Sequence, residues 1–534
     1  MQGILSFHKS VQGYSHVLKG TPCEDSSASY SDETGRFHIA VIADGHGDPK
    51  CTRSSFGSAT AANVACESLK EFAEKKLESE IVLAQFMNDI ADNDRYEKLS
   101  IRELTDNILE CWRKAVLEDY NNNPLSQEEL QVIGSNPSKD TERLHIYGTT
   151  LMAGILLRGK TLDEDTLAKM PRGASLIDGK IHLPDCLILI HQGDGRCDLF
   201  NADQTIEQPI PWDDRCDANV TTSICEPDAD ISIRHSVRLF PASHKFAAVF
   251  LGSDGVEDGF RDTYVDRGGA HILMGGVHTF YKNMICKIID GTDATFNKYL
   301  DENLSEFSAK GIFGAPGSAD DVSVAGIVDP DVIAGFSESF SKDVERYTFE
   351  EQLFWIEDDL RGKTRKHEIL YKRQNNAEEK TKEILLQKDQ LIKQLGDMDN
   401  ARDCIVKEIH AIEDEIDHAQ WLLGETRKRQ NSDTTFWEAA YSFFPNLDSQ
   451  FSVGVIQTLI DSLVNNCRNK RIQYNDLEQT IKGTKDKLQV IEEEYKNVNE
   501  AKLQAQHEYL EYDNIFQELL TQKEKVATLL EQLQ

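Results

Sequence analysis

The stretch HIAVIADGHGDP, residues 38–49, contains an apolar run that stops at Asp44, Gly45 and His46. Continuous apolar runs of this length are typical of buried strands. An Asp-Gly pair after a strand most often forms a tight turn. The alternative is a metal site at the end of the strand, and it requires other acidic residues to reach strand ends in the same way.

Acidic residues stand at the ends of further apolar runs. DCLILIHQGDGR places Asp194 after a predicted strand, and FAAVFLGSDGVED places Asp254 after another. GSADDVSVAGIV places Asp320 before a strand, and GTPCEDSSASY has Glu24 and Asp25 before a possible strand. A sheet can bring such ends together, where carboxylates repel one another and divalent cations relieve the repulsion. Oxygen ligands alone favour Mg²⁺ or Mn²⁺ over zinc.

The predicted strands and helices indicate an α/β fold. The strands are 38–44, 149–157, 185–194, 246–254 and 321–328, and helical segments at 58–77 and 101–120 lie between the first two. Helices inserted between buried strands favour a sandwich in which helices cover the sheets. The composition changes near residue 330, so we expect a domain over 1–330, a linker over 331–345 and a helical region over 346–534.

The helical region carries apolar residues at seven-residue spacing, which predicts a coiled coil. One row includes Ile384, Leu391 and Ile412, and a second block includes Ile491 and Val498. An aromatic-rich break near 434–455, containing a proline, separates the two blocks. Two arms around such a break favour an antiparallel helical hairpin, and a parallel coiled coil between two chains is the alternative.

Charge and composition restrict the possible partners. The chain of 534 residues has a formal net charge of −34, from 92 acidic against 58 basic residues. This charge disfavours binding to nucleic acid or to an anionic membrane surface. No apolar run is long enough to span a membrane, and MQGILSFHKSVQGYSH lacks the pattern of a signal peptide. With 11 scattered cysteines and no CxxC pair, we expect a cytoplasmic protein with free thiols.

The ordered motifs resemble the metal-dependent serine/threonine protein phosphatases of the 2C type over residues 1–330. The series is Glu24-Asp25, DGHG, GTT, GDGR, SDGVED and ADDVSV, and GYSHVLKGTPCEDS resembles bacterial-style members in particular. The resemblance implies an αββα sandwich that holds two Mn²⁺ or Mg²⁺ ions, with a third, weaker metal site. It implies hydrolysis of phosphomonoesters on proteins by a metal-activated water.

The resemblance also assigns residues. It implies that the metal ligands are Glu24, Asp44, the Gly45 carbonyl, Asp194, Asp254 and Asp320, with Asp25 behind them. His46 matches the proposed general acid, and Asp44 is the central catalytic carboxylate. Many relatives carry an arginine before the glutamate to grip phosphate. This chain has HVLKGTPCED there, so Lys19 or His16 is the candidate phosphate contact.

Other departures concern the surroundings of the site. The family's GDSR reads GDGR here, which keeps Asp194 and removes a hydroxyl, and Asp321 stands where asparagine is common. The connection between the strands at 149–157 and 185–194 is long, and it could form a lid, a partner loop or a plain surface insertion.

Three functional hypotheses follow. The first is a protein serine/threonine phosphatase whose coiled coil docks a partner or mediates self-association. The second is a weak or inactive pseudophosphatase that acts as a coiled-coil scaffold, which the missing arginine favours. The third is hydrolysis of nucleotides or small phosphates at the same centre.

Overall fold

The structure is a computed structural model, and it divides the chain into two compact units. Unit 1 comprises Met1–Trp355 with Glu524–Gln534, and unit 2 comprises Ile356–Lys523. The described residues are 3–92, 94–163, 170–171, 173–211, 213–216, 220–260, 264–267, 270–273, 275–314, 317–396, 412–417, 419–420, 423–424, 427, 453–472 and 477–533. The predicted aromatic-rich break near 434–455 therefore falls almost entirely outside them.

The strands, in chain order, are β1 Leu5–Val11, β2 Ser26–Ser31, β3 Phe37–Ala43, β4 Leu151–Leu157, β5 Thr161–Asp163, β6 Ser175–Ile177, β7 Lys180–His182, β8 Asp185–Gln192, β9 Arg196–Asn201, β10 Ile206–Glu207, β11 Arg234–Phe240, β12 Phe246–Gly252, β13 Tyr264–Arg267, β14 Ala270–Leu273 and β15 Val322–Val328.

The helices are α1 Tyr14–Lys19, α2 Ser54–Lys76, α3 Glu80–Asp92, α4 Asp94–Asn122, α5 Gln127–Ile133, α6 Asp140–His145, α7 Ala229–Ser232, α8 Asp254–Glu257, α9 Gly276–Asp290, α10 Asp293–Lys310, α11 Pro330–Ile333, α12 Ser337–Gly396, α13 Val453–Ile472 and α14 Leu477–Gln532, with a 3-10 turn at Ala334–Phe336.

Two five-stranded antiparallel sheets form the centre of unit 1. One has the order β1-β15-β12-β9-β10 and the other β11-β8-β4-β3-β2. Strand β3 alternates between two cores: Ile39 and Val41 pack with α2 and α4, whereas Ala40 and Ile42 face the other sheet. Helices α9 and α10 cover the outer face of the first sheet. The mixed α/β fold with helices outside two sheets confirms the predicted αββα class.

The five predicted apolar strands correspond to β3, β4, β8, β12 and β15, and the two predicted helical segments lie within α2 and α4. The sequence did not reveal β1, β9 and β11. Strand β1 is amphipathic and only partly buried, and β9 contains charged residues that are buried. Such strands lack the continuous apolar run that signals a buried strand.

The long connection after β4 forms a small three-stranded sheet of β5, β7 and β6. It lies at the end of the sandwich opposite to Asp44, because β4 begins beside Asp44 at Thr150 and runs away from it to Leu157. The described residues of this insertion therefore do not form a lid over the strand ends that carry Asp44 and Asp194.

Residues 331–345 are helical and packed, in contrast to the expected linker. The 3-10 turn at Ala334–Phe336 leads directly into α12, and Phe336, Phe340 and Tyr347 are buried in the core under α9 and α10. Aromatic side chains bury large apolar areas, so the first turns of α12 belong to unit 1.

Unit 2 contains the long C-terminal helical region that the sequence predicted. Within it, α12 and α14 run antiparallel, since residues later in α12 contact residues earlier in α14. His367 pairs with Asp513 at 2.7 Å, and Lys388 pairs with Glu492 at 3.1 Å. Ile384 packs with Ile491 and Val498. These contacts fit a helical hairpin, and the coiled coil and its partner stay predictions.

None of the described helices is both long and apolar enough to cross a membrane.

Candidate active site

One end of the sandwich in unit 1 carries an acidic cavity of about 1160 Å³. Antiparallel strands bring the end of β3, the ends of β8 and β12 and the beginnings of β2, β4 and β15 to this edge. All the site residues that the sequence predicted line the cavity: His16, Lys19, Glu24, Asp25, Asp44, Gly45, His46, Asp194, Asp254 and Asp320. The strand-end pattern therefore converges on a single place.

Asp44 is fixed through its backbone by the GTT motif. The Asp44 carbonyl accepts hydrogen bonds from the Thr150 amide and from the Thr149 hydroxyl, both at 2.8 Å. The Asp44 amide in turn donates to the Thr150 hydroxyl at 3.0 Å. These bonds continue the β3–β4 pairing past the last strand residue and hold the carboxylate at the cavity wall.

Gly45 permits the close approach of the segment that carries Glu24. A Cβ atom on Gly45 would stand 2.4 Å from the Glu24 carbonyl oxygen, so no larger residue fits without movement of the backbone. The Glu24 carboxylate accepts a hydrogen bond from the Ser54 hydroxyl at 2.6 Å, and its carbonyl accepts one from Ser58. Both serines belong to α2, which thus fixes Glu24 against Gly45.

Asp321 organises the N-terminal segment rather than facing the cavity with a free carboxylate. Its side chain accepts hydrogen bonds from the amides of Gly13 at 2.5 Å and Glu24 at 2.6 Å, and it pairs with the His16 ring at 2.9 Å. A carboxylate accepts all three bonds through its two oxygens, whereas an asparagine side chain would present its NH2 group to at least one of these donors. The unusual aspartate is explained by these contacts.

The carboxylates at the centre of the cavity perturb one another. Burial, together with the charges of Asp25, Asp254 and Asp194, raises the pKa of Asp44 well above its ordinary value. Burial and the charge of Asp194 raise the pKa of Asp254 to about 8. Several carboxylates that share one low-dielectric site cannot all ionise without a cation. Protons or cations must therefore neutralise this cluster at neutral pH.

Asp25 lies behind this group and is buried. Burial and the charge of Asp321 raise its pKa to about 7. Among the described residues, its Oδ2 atom has no hydrogen-bond partner. A buried carboxylate oxygen without a partner is costly, which indicates that the site is incomplete without a further positive or hydrogen-bonding group.

The donor set fits hard divalent cations in its chemistry, since it consists of carboxylate and carbonyl oxygens. Within the described ranges, no three His, Cys, Asp or Glu side chains are already arranged as ligands of one ion. Glu24, Asp44, Asp194, Asp254 and Asp320 are the side chains that could hold metal ions here.

His46 lines the cavity two residues after Asp44, with its Nε2 atom unpartnered among the described residues. Burial and the neighbouring His145 lower the pKa of His46 to about 4. The ring is therefore neutral at pH 7 in this structure. Its role as a general acid stays a prediction, because a neutral imidazole must first take up a proton to donate one.

Of the two candidate phosphate contacts, His16 is engaged by Asp321 through its Nδ1 atom. Lys19 is exposed and lines the same cavity at the end of α1. A lysine provides a mobile point charge and lacks the planar fork with which arginine binds phosphate. Lys19 is thus the side chain better able to reach a bound phosphate.

Sequence reasoning missed several acidic residues of the cavity, among them Glu257 and Asp258. Burial and the charges of Asp320, Glu257 and Asp194 raise the pKa of Asp258. Asp258 therefore stands among the candidate ligands. The sequence signal that could have revealed them is the adjacent acidic pair at the end of the motif SDGVED, three residues after Asp254.

Glu257 belongs to a buried ion network that joins two of the strand ends. Arg196, two residues after Asp194, donates to Asp198 at 2.6 and 3.0 Å and to Glu257 at 2.7 Å. Glu257 lies one helical turn after Asp254. The network thus ties the β8–β9 turn to α8, and it fixes Asp194 and Asp254 relative to each other.

Comparison with known proteins supports a phosphatase-like domain in this part of the chain. Residues 12–163 match the sequence profile of the family described as protein phosphatase 2C. The matched range contains Glu24, Asp25, Asp44 and His46 and ends before Asp194, and it is well under half of the chain. No curated protein matches the chain significantly.

Among solved structures, the chain is similar to the crystal structure of a phosphatase from a pathogenic strain of Toxoplasma gondii. The identity is 11%, the TM-score is 0.32, and the similarity covers 61% of this chain and 93% of that chain. At this level the likeness carries no argument about the activity of this protein.

Proposed function

We propose that unit 1 is a metal-dependent protein serine/threonine phosphatase. The observation that carries the proposal is the convergence of acidic residues from five separate strand ends on one cavity, where burial and neighbouring carboxylates raise the pKa of Asp44 and Asp254. The match to the protein phosphatase 2C profile over residues 12–163 supports the same reaction.

In this proposal the ions are two Mn²⁺ or Mg²⁺, with a third, weaker site. Glu24, Asp44, the Gly45 carbonyl, Asp254 and Asp320 would hold the first two, and Asp194 with Asp254 the third. When bound, such ions activate water and offset the charge on phosphoryl oxygens. The carboxylates hold the ions, and the backbone contacts of Asp44 and Glu24 keep those carboxylates in place.

The remaining side chains act on the substrate. Lys19 would bind a phosphoryl oxygen from the rim, while Asp321 positions Glu24 and His16. His46 would hold the proton that the departing serine or threonine oxygen takes up, and it needs a phosphate dianion nearby to raise its pKa. No covalent phosphoenzyme is required, so the cysteines of unit 1 need not act as nucleophiles.

The experiment is hydrolysis of a phosphothreonine peptide by the full chain, with Mn²⁺ and then with a chelator. We expect activity that requires the metal and falls by at least about a hundredfold in Asp44→Ala. Asp163→Ala, an exposed aspartate at the far end of the domain, is the matched control and should keep full activity. Metal-independent activity, or full activity of Asp44→Ala, would contradict the proposal. Comparison with a nucleoside triphosphate tests whether small phosphates are the better substrates.

The second candidate function is a weak or inactive pseudophosphatase that acts as a scaffold through unit 2. This function is favoured because the chain lacks the family's phosphate-binding arginine. His16, one of the two candidate replacements, is already paired with Asp321. In that case the folded protein would hydrolyse no phosphopeptide with any divalent ion. Self-association through the helical region is a separate proposal that is compatible with either function. Sedimentation of the full chain tests it.

A further inference from the structure

Ser308 is a buried serine near the end of α10, and it contacts two separate segments of the proposed active site. Its hydroxyl donates to the Asp320 carbonyl at 2.9 Å and accepts a hydrogen bond from the Tyr14 amide at 2.9 Å. Its own carbonyl accepts a bond from the Ala319 amide at 3.0 Å. Ser308 therefore bonds both to the turn before β15, which carries Asp320, and to the first residue of α1.

Further backbone contacts join this turn directly to the start of α1. The Ser15 amide donates to the Ala319 carbonyl at 2.9 Å. A Cβ atom on Gly13 would stand 2.4 Å from the carbonyl carbon of Asp320, so the two backbones lie against each other. Ala319 has φ +62°, a left-handed conformation that residues other than glycine rarely adopt. The turn and the start of α1 thus form one hydrogen-bonded unit, and Ser308 bonds to both of its parts.

The two parts of this unit have different tasks in the proposed reaction. Asp320 is a proposed metal ligand, and α1 carries Lys19, the proposed phosphate contact; both residues line the cavity. The Oδ1 atom of Asp320 accepts a hydrogen bond from the Asp321 amide at 2.8 Å, so the direction of this carboxylate depends on the backbone of the turn. A displacement of the turn would therefore move the metal ligand and the start of α1 together.

We propose that Ser308 is a positioning residue that couples metal binding at Asp320 to phosphate binding by α1. This inference rests on the proposed function and deepens it. Ser308 acts through the backbones of Asp320 and Tyr14, so it influences both binding steps without touching metal or substrate. Coupling between two binding sites is reciprocal. A change on the α1 side of Ser308 should therefore weaken metal binding, although it leaves every proposed ligand in place.

The first variant, Ser308→Ala, removes the bonds to both parts of the unit. The matched control is Ser68→Ala, which changes another buried helical serine whose hydroxyl accepts a hydrogen bond from Asn107 at 3.2 Å. The loss of a buried hydrogen bond that leaves its partner unpaired weakens the linked equilibrium by about tenfold. In Ser308→Ala we expect the Kd for Mn²⁺ and the inhibition constant of inorganic phosphate each to rise about tenfold, and Ser68→Ala should keep both wild-type values.

The second variant, Tyr14→Pro, breaks the same contact from the α1 side. Proline has no amide hydrogen, and its ring takes the place of that hydrogen, so α1 separates from Ser308. Proline is tolerated at the first position of a helix, and the preceding Gly13 has φ −60° and ψ 143°, the extended conformation that a following proline requires. Tyr14→Ala is the matched control, because it removes the same exposed ring and keeps the amide.

The measurements use the full chain. The Kd for Mn²⁺ is measured without substrate, from the electron paramagnetic resonance signal of the free ion, and the inhibition constant of inorganic phosphate is measured against an aryl phosphate. Tyr14→Pro should raise the phosphate constant about tenfold and the Mn²⁺ Kd at least about threefold, whereas kcat at saturating Mn²⁺ and substrate should change little. A merely structural loss would lower kcat through the folded fraction and leave both constants unchanged. Combined with Ser308→Ala, Tyr14→Pro should add little, because both changes remove one contact.

An Mn²⁺ Kd that is the same in Tyr14→Pro and Tyr14→Ala would overturn the inference, as would wild-type constants in Ser308→Ala. Either result leaves the phosphatase reaction in place, because the wild type still hydrolyses the aryl phosphate with Mn²⁺. If Ser308→Ala does not fold, the pair of Tyr14 variants decides, since their change lies at an exposed position. Failure of the wild type to bind Mn²⁺, or to hydrolyse any phosphate ester with it, would overturn the proposed function and the inference with it.

Discussion

Replacement of Asp254 by asparagine should stabilise unit 1 when no divalent cation is present. The folded protein raises the pKa of this carboxyl from 3.8 to about 8, through burial and the charge of Asp194. Folding therefore disfavours the ionised form, and at pH 7 this costs roughly 4 kcal/mol of stability. Asparagine keeps the shape and removes the charge, so we expect a gain of roughly 2–4 kcal/mol.

The sign of the pH dependence follows from the same shift. Because the folded pKa is raised, the folded state binds the proton more tightly, and stability of the metal-free wild type falls as pH rises from about 4 to about 8. In Asp254→Asn this fall should be smaller. Native-state hydrogen exchange of peptides from β8 and β12 measures unit 1 separately from the helical unit.

The divalent cation should offset most of this difference in stability between the variant and the wild type. At a Mn²⁺ concentration of about one hundred times its Kd, the wild type gains roughly 2.7 kcal/mol through mass action, and the variant gains little because a ligand is missing. Asp198→Asn is the matched control, since its pKa is lowered to about 2 beside Arg196. The same chemical change there should destabilise. An Asp254→Asn variant that loses protection without metal, as Asp198→Asn does, would refute the reasoning.

Three further predictions concern other parts of the molecule. Burial and the charge of Glu494 raise the pKa of Glu415 to about 7, so exchange from α14 should show unit 2 less stable at pH 8 than at pH 6 by about 1 kcal/mol, and Glu415→Gln should abolish the difference. Gly255→Ala should lower metal-dependent activity at least about tenfold, because the new Cβ atom would stand 2.0 Å from the Asp321 carbonyl oxygen. The control Gly362→Ala should keep full activity, because a Cβ atom there meets nothing within 4 Å. Removal of divalent cations should lower the melting temperature of unit 1, and a differential scan with and without chelator measures it.

The fold was predictable where strands are buried on both faces. Strands β3, β4, β8, β12 and β15 are continuous apolar runs, because each contacts helices on one side and the other sheet on the other. Strand β9 was not predictable in the same way. It buries Arg196 and Asp198, and only the fold shows that the two charges neutralise each other. Hydropathy treats such residues as exposed.

The candidate site was predictable in its residue types and in its position at strand ends. The roles of Asp321 and Glu257 were not, since both depend on contacts with distant parts of the chain. Asp321 binds the amides of Gly13 and Glu24, some 300 positions earlier, and Glu257 binds Arg196. Long-range hydrogen bonds leave no periodic signal in the sequence.

The sequence by itself determined which acidic residues follow or precede strands, and it determined a long helical region, which it placed after residue 345. Only the tertiary structure decided that these strand ends share one edge, because that depends on the pairing and register of two antiparallel sheets. It likewise decided that the insertion after β4 lies at the other end, and that burial and the charges of Asp25 and Asp254 disfavour the ionised form of Asp44. Proximity, burial and charge interaction are properties of the folded chain, so residue order alone cannot supply them.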